Sequence, residues 1–353
     1  MRKVIIAGKG VKPGQRTTIN IPVARLYTHA EMNMPAHVLR GKKDGPSLFV
    51  SAGIHGDEIL GVEIVRRLLK LKKLEHLRGT LIAVPVVNVY GFLDQSRYSP
   101  DRRDLNRFFP GSEKGSLTSQ LADIFMNEVV ENCSHGIDLH TASNHRVNLP
   151  HIRASLDDSE NLRLSLAFGA PVVLNANRHE GSLRSAVEDQ GIPMLLYEAG
   201  EALRFDEVGI RVGVRGILAV MRAIGMLPAG RHTKSRIEPV VARSSVWARA
   251  PVSGIFHSRV ALGSKVTRGS NLGIIADPFG ENEVDIPSPE SGVVIGRLNL
   301  PLVHRGDALS HIACVSKLTR VAETLEAFQE EFDRIPPPKS PAKSNAPEQT
   351  GNE

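Results

Sequence analysis

The stretch LFVSAGIHGDEILGVEIVRRLLK, residues 48–70, decides how the chain is read. The apolar run from Leu48 to Ala52 breaks at Gly53, and an amphipathic pattern begins after Gly-Ile-His-Gly-Asp-Glu. A short apolar run bounded by glycine reads as a buried strand, and apolar residues three and four apart read as a helix. The spacing predicts a helix over residues 57–73. His55 and Glu58 sit on the turn between them, three residues apart. On a helical turn that spacing brings both side chains to one point. Asp57 or Glu58 could equally do no more than favour the helix N-terminus through its charge, with Asp57 serving as cap.

Outward from this corner, apolar strands alternate with helices from residue 46 to about residue 228. GTLIAVPVVN, GIDLHT, APVVLNA and IPMLLYEAG read as strands. SLTSQLADIFMNEVVENC and FDEVGIRVGVRGILAVMRAIGML read as helices. The alternation implies an α/β sheet covered on both faces, here spanning residues 46–235. Residues 1–45, with RTTINIPVARLYT and PAHVLRG as strand candidates, read as an N-terminal β extension. Residues 229–245 are polar and basic and read as a linker.

Residues 246–316 are β-rich and carry an internal repeat. APVSG (250–254) matches SPESG (288–292), and KVTRGSNLGII (265–275) matches LVHRGDALSHI (302–312). Two equivalent halves of short strands suggest a pseudo-symmetric β-sandwich. The pattern resembles the hammerhead domain of biotinyl and lipoyl carriers. Carriers attach their cofactor to a lysine between the halves, whereas no lysine occurs between Lys265 and Lys317. The shape is expected, without the carrier function. Residues 317–335 read as a terminal amphipathic helix, and the Pro-, Ser- and Lys-rich residues 336–353 as a disordered tail.

Composition narrows the function. The 353 residues carry a net charge of +6 and are only 5% aromatic. No Lys/Arg block is interleaved with aromatics, so nucleic-acid binding is not expected. Cys133 and Cys314 form no CxxC pair, which argues against a disulfide scaffold or a thiolate metal site. No apolar run is long enough to span a membrane. The N-terminal apolar run is too short for a signal peptide, and a cytoplasmic protein is expected.

Three further segments carry candidate chemistry. His140 ends the apolar strand GIDLHT, where an α/β sheet opens its ligand crevice. With His55 and Glu58 it completes two histidines and one carboxylate, the ligand complement of a catalytic zinc. Asp138, on the same strand face, could steer a ligand or merely hold a turn. DRRDLNRFFPG (101–111) offers Asn106 and Arg107; an arginine fork suits a carboxylate, although Asp101 to Asp104 could pair among themselves. In LLYEAGE (195–201), Glu198 stands at a strand end as a candidate general base, with Glu201 as its competitor.

HGDE, DLNR-FFPG, DLHT and YEAGE occur in the order found in the succinylglutamate desuccinylase/aspartoacylase family of the M14 zinc carboxypeptidase superfamily. The resemblance covers roughly residues 40–230, and a β-rich C-terminal domain is also typical of that family. It implies a zinc-carboxypeptidase-like mixed sheet with helices on both faces and a smaller all-β domain behind it. It implies one Zn2+ per chain on His55, Glu58 and His140, and Glu198 as general base. Asn106 and Arg107 would hold a substrate carboxylate. An arginine upstream of DLNR would stabilise the oxyanion. Here Arg102 and Arg103 stand nearer than in aspartoacylases, and Arg103 is taken for the role. NLPHIRA adds His151 and Arg153 as substrate contacts. The implied activity is hydrolysis of a small, carboxylate-bearing N-acyl amino acid, by a chain that could act as a homo-oligomer. A peptidase acting on short chains and an inactive binding protein are the alternatives.

Overall fold

In a computed structural model, residues 3–229 and 238–315 are described, together with Thr324, Ala327, Phe328 and Glu330. An N-terminal hairpin, β1 (Val4–Ile6) and β2 (Lys9–Val11), precedes a long one, β3 (Arg16–Arg25) and β4 (Glu31–Arg40). The α/β part follows: β5 (Lys43–Ala52), α1 (Leu60–Leu69), β6 (Arg78–Val84), α2 (Val89–Leu93), α3 (Leu117–Glu128), β7 (His135–Ala142), β8 (Arg146–Ala154), α4 (Ser159–Phe168), β9 (Val172–Asn175), α5 (Leu183–Asp189), β10 (Met194–Glu201) and α6 (Glu207–Ala223). The rest is β: β11 (Val240–Ala242), β12 (Ser244–Arg249), β13 (Gly254–Ser258), β14 (Lys265–Val266), β15 (Asn271–Ala276), β16 (Glu283–Pro287), β17 (Gly292–Leu298), β18 (Leu302–Val303) and β19 (Ala308–Cys314).

One mixed sheet runs β12-β19-β17-β8-β10-β7-β5-β6-β4-β3. Its centre, β10-β7-β5-β6, is parallel, and the flanking strands are antiparallel to it. Successive residues of a strand face opposite sides, and β5 and β6 obey this. Leu48, Val50, Leu81 and Ala83 join a core with Ile64, Phe168 and Ile217. Phe49, Ile82 and Val84 join a second core with Leu121, Phe125 and Leu183. Both faces of the sheet are therefore buried under helices, which is why its central strands read as unbroken apolar runs.

Strand β8 divides the sheet. Its first residues, Arg146 to Asn148, pair with β17, and His151 to Ala154, along the same edge, pair with β9. The expected linker takes part in this arrangement. Residues 230–237 lie outside the described residues, but β11 pairs with β9 and β12 begins at Ser244. Val240 and Ala242 are buried there, so alternating apolar residues recruit a segment whose charge suggested a connector. The C-terminal strands thus continue the main sheet through the β8–β17 pairing.

The internal repeat is visible in the strand pairing. β13 pairs with β15 and borrows β18 from the second half; β17 pairs with β19 and borrows β14 from the first. Val266, Leu272 and Ile275 share a small core with their counterparts Val303, Leu309 and Ile312. Gly269 and Gly306 occupy equivalent turns at φ +85° and +93°, where a side chain would be strained. Of residues 317–335, only Thr324, Ala327, Phe328 and Glu330 are described; they are helical, and Phe328 packs into the first core. Residues 336–353 lie outside the described residues. No helix among the described residues is long and apolar enough to cross a membrane.

Helix α6 lies so close to α4 that a Cβ on Gly216 would stand 2.2 Å from the Phe168 ring. Gly216→Ala is expected to cost about 1–3 kcal/mol by overpacking and to lower the melting temperature by several degrees. Gly10→Ala, where a Cβ meets nothing within 4 Å, is the matched control and should leave it nearly unchanged. Thermal unfolding of the pair checks the packing.

Candidate active site

The corner at residues 53–59 is held by close backbone approaches. Gly53 takes φ +62°, and Ala52 and Gly53 accept hydrogen bonds from the N–H groups of Val87 and Asn88. A Cβ on Gly56 would stand 1.9 Å from the carbonyl carbon of Gly91, so only glycine fits there. α1 starts later than the expected residue 57, at Leu60, and has no side-chain cap. Each of α2 to α6 is capped by a polar side chain: Asn88, Ser116, Asp158, Ser182 and Asp206. Asp57 does not cap α1; its Oδ1 is buried without a partner. The acid on this corner turns inward instead.

Glu58 is that acid, and it is 2% exposed. Its Oε1 lies 2.6 Å from His55 Nδ1, and its Oε2 lies 2.9 Å from His140 Nδ1. Oε2 also accepts the Thr141 backbone N–H at 2.9 Å, and Oε1 accepts Arg97 at 3.2 Å. Both imidazoles turn their other nitrogen to a carboxylate. His55 Nε2 meets Asp104 at 3.1 Å and His140 Nε2 meets Asp138 at 2.7 Å. Ser51 and Arg97 in turn donate to Asp138 and Asp104. Burial opposes charge here, yet Glu58 is held well below the usual carboxylate range by His55 and His140. The same contacts, with Asp104 and Asp138, raise both histidines against their burial.

A ligand atom from each of His55, Glu58 and His140 lies within 4.8 Å of the others. Two Nδ1 atoms and a carboxylate converge, with both Nε2 atoms anchored on carboxylates behind. That is the donor set and outer support of a metal-binding histidine pair. The residues fit a divalent cation.

These groups open into a cavity of about 610 Å3. Glu198 lies on β10 in register with His140 on β7 and with His151 on β8. It accepts Asn148 Nδ2 at 3.0 Å and lies 3.4 Å from Arg153. Burial raises its pKa, against the pull of Arg153 and His140. The register between β10 and β8 slips by one between Glu198 and Gly200. Such a slip re-aims side chains, and residues 146 and 148 before it face the same cavity as 151 and 153 beyond it. Glu201, the competing acid, instead accepts from His145 N–H and from Asn299.

Asn106 and Arg107 also line the cavity. Asn106 Oδ1 accepts the Leu183 N–H at 2.9 Å, leaving its NH2 group to offer. Gly181, at φ +76°, lets its loop press against the Arg107 backbone, where a Cβ would lie 2.3 Å from the carbonyl oxygen. Arg103 is not on the cavity wall. It is half exposed, pairs with Asp101 at 3.2 Å and lies over the Phe108 ring. The arginine at the site is Arg97, which bridges Glu58 and Asp104. It lies in an irregular loop, and only the wider arginine-to-DLNR spacing of aspartoacylases could have pointed to it. The sequence also concealed Arg146, Arg184, Asn148, Trp247 and His311, all of which line the cavity.

His151 and His311 are both held neutral by burial, at pKa values of about 4 and about 3. Native values below the unfolded one mean stability that is present above pH 6.5 and lost as pH falls from there toward 4. His311→Gln removes one such group. Its melting temperature should therefore decline less steeply than that of the wild type between pH 6.5 and 4.

Comparison with known proteins agrees with this geometry. The catalytic-domain profile of succinylglutamate desuccinylase/aspartoacylase matches residues 44–224. An N-α-acetyl-L-2,4-diaminobutyric acid deacetylase of Halomonas elongata is 28% identical over 292 residues, which is 79% of this chain and 85% of the relative. The crystal structure of a succinylglutamate desuccinylase/aspartoacylase from Rhodobacter sphaeroides superposes with a TM-score of 0.77 at 26% identity, covering 86% of this chain and 97% of that one. An ectoine utilisation protein of Ruegeria pomeroyi, solved with product bound, shares the fold with a TM-score of 0.77 at 24% identity over the same shares. The profile covers the corner at His55, the Asn106–Arg107 loop, and the strand ends at His140 and Glu198. The chain belongs to the succinylglutamate desuccinylase/aspartoacylase family.

Proposed function

We propose that this chain is a zinc-dependent deacylase that hydrolyses the amide bond of a small, carboxylate-bearing N-acyl amino acid. One observation carries the reading: the His55–Glu58–His140 donor set and the buried Glu198 face one cavity that also holds Arg107, which donates to the Asn106 carbonyl and has no carboxylate partner among the described residues. The cavity volume of about 610 Å3 suits a small ligand. The Halomonas relative is named as a deacetylase of an N-acetyl amino acid, which supports the same bond class here.

His55, Glu58 and His140 would hold the metal. Zinc bound there would polarise the scissile carbonyl and lower the pKa of water. Glu198 takes a proton from the attacking water and returns it to the departing amine nitrogen. Its burial-raised pKa suits both steps, since a strongly acidic carboxyl would not accept the proton. Asn148 holds Oε2, so the other oxygen has a fixed direction. Arg97, between Glu58 and Asp104, is the cation nearest the metal ligands and takes the oxyanion role that spacing suggested for Arg103. Arg107 and the Asn106 amide hold the substrate carboxylate, and Arg153 steadies the Glu198 side of the cavity. Holding the substrate this way makes attack effectively intramolecular.

Metal analysis and amine release from N-acyl amino acids test the reading. The purified protein should bind about one zinc per chain, and His140→Ala should abolish that binding. Glu198→Gln should keep the metal and lose about 10²–10⁴-fold in kcat. Undiminished turnover in that variant would remove Glu198 from the mechanism.

A further inference from the structure

The second acid of the YEAGE stretch, Glu201, takes no part in the chemistry above. It stands at the end of β10, past the irregularity that follows Glu198, in register with Ala142 on β7. It lies off the cavity wall. Oε1 accepts the His145 N–H and Oε2 accepts Asn299 Nδ2, each at 3.0 Å. Both donors are neutral, so Glu201 serves here as a two-oxygen acceptor. The His145 carbonyl in turn accepts the Asn299 N–H at 2.7 Å. His145, Glu201 and Asn299 therefore form a closed triangle, in which each residue bonds to the other two.

The corners come from three segments: the turn between β7 and β8, the end of β10, and the turn after β17. Each segment follows a group that the reaction uses. His140 precedes the first corner on β7, and Glu198 precedes the second on β10. β17 precedes the third and pairs with β8 at Asn148, the residue that holds Glu198 Oε2. Between His140 and Asn148 the chain also carries the Thr141 N–H, a donor to Glu58. The turn within this stretch is not a relaxed one. His145 takes φ +64°, a left-handed conformation that L side chains rarely adopt unless surrounding contacts hold them there. The triangle supplies those contacts, gripping the His145 N–H from Glu201 and its carbonyl from Asn299.

Resting on the deacylase reading above, we propose that Glu201 is a positioning residue for the reaction. By locking the turn between β7 and β8 to the C-terminal strands, it fixes Glu198 relative to His140 and Glu58. A misplacement of about 1 Å at a reacting group can cost about 10²-fold in rate. The loop that presents Asn106 and Arg107 lies outside the triangle, so substrate binding is spared.

The test measures kcat and KM on zinc-loaded protein with N-acetyl-L-aspartate and N-acetyl-L-2,4-diaminobutyrate. Glu201→Leu removes both acceptors. It should lower kcat about tenfold or more, with KM changed by less than about threefold and zinc still bound. Glu201→Gln should keep kcat within about threefold of the wild type, because its amide can accept from His145 and, with the Asn299 amide turned over, donate to Asn299. Asn299→Ala opens the triangle at an exposed corner and should also lower kcat. Its loss should not add to that of Glu201→Leu, since one triangle is broken in both. The proposal falls if Glu201→Leu keeps its kcat, if the loss lies in KM alone, if Glu201→Gln is as slow as Glu201→Leu, or if the two losses add in full. Should Glu201→Leu fail to fold, Asn299→Ala decides: a lower kcat with KM and zinc content unchanged supports the role, and an unchanged kcat overturns it. If the wild type turns over neither substrate, the deacylase reading fails, and amide exchange of residues 141–148 judges the triangle alone. Faster exchange in Asn299→Ala and Glu201→Leu but not in Glu201→Gln keeps it; equal exchange in all overturns it.

Discussion

The buried carboxylate of Glu58 is the constraint on which the rest of the site depends. A charge this deep is tolerated only when it is paired and fully hydrogen-bonded. His55, His140, Arg97 and the Thr141 N–H supply that pairing, from three separate segments. Each partner is braced in turn: His55 on Asp104, His140 on Asp138, and Asp138 on Ser51. The corner that delivers Glu58 gives α1 no side-chain cap, unlike the other five described α-helices. A net of this kind leaves little freedom for its members to move apart, which preorganises the three donor side chains.

The sheet converts this local net into a cavity with a far wall. Parallel strands place His140 and Glu198 side by side at their carboxyl ends, where open α/β sheets bind ligands. β8 then brings β9 to one part of its edge and β17 to another. Through β17 and β19, residues more than a hundred positions away from His140 reach the same cavity. The repeated C-terminal strands exchange β14 and β18 between their halves, which makes that wall one interlocked body. Its residues Ser245, Trp247 and His311 line the cavity.

Much of this was legible along the chain. Central strands buried on both faces must be apolar throughout, so β5, β7 and β10 stood out, and their polar ends marked the site. His55, Glu58, His140 and Glu198 were singled out because each stands at or beside such an end, and Asn106 and Arg107 because an arginine fork suits a carboxylate. β8 was not recognised as a strand. RVNLPHIRA has a proline and four polar or charged residues, because those four side chains line a polar cavity instead of a core. Arg102 and Arg103 were weighed because they stand beside DLNR, and Arg97 was passed over; Asp101 and Phe108 hold Arg103 off the cavity wall.

The sequence by itself determined the α/β alternation, the duplicated β segment and the converging acid and histidines. These are properties of neighbouring residues, written in periodicity and in short spacings. Tertiary structure alone decided which arginine pairs with Glu58, that 240–245 joins strands instead of linking domains, and that Arg146, Trp247 and His311 meet the cavity beside it. Those outcomes rest on strand order and on a one-residue slip in register between β8 and β10. A register is set by pairing between distant segments, so no local pattern records it.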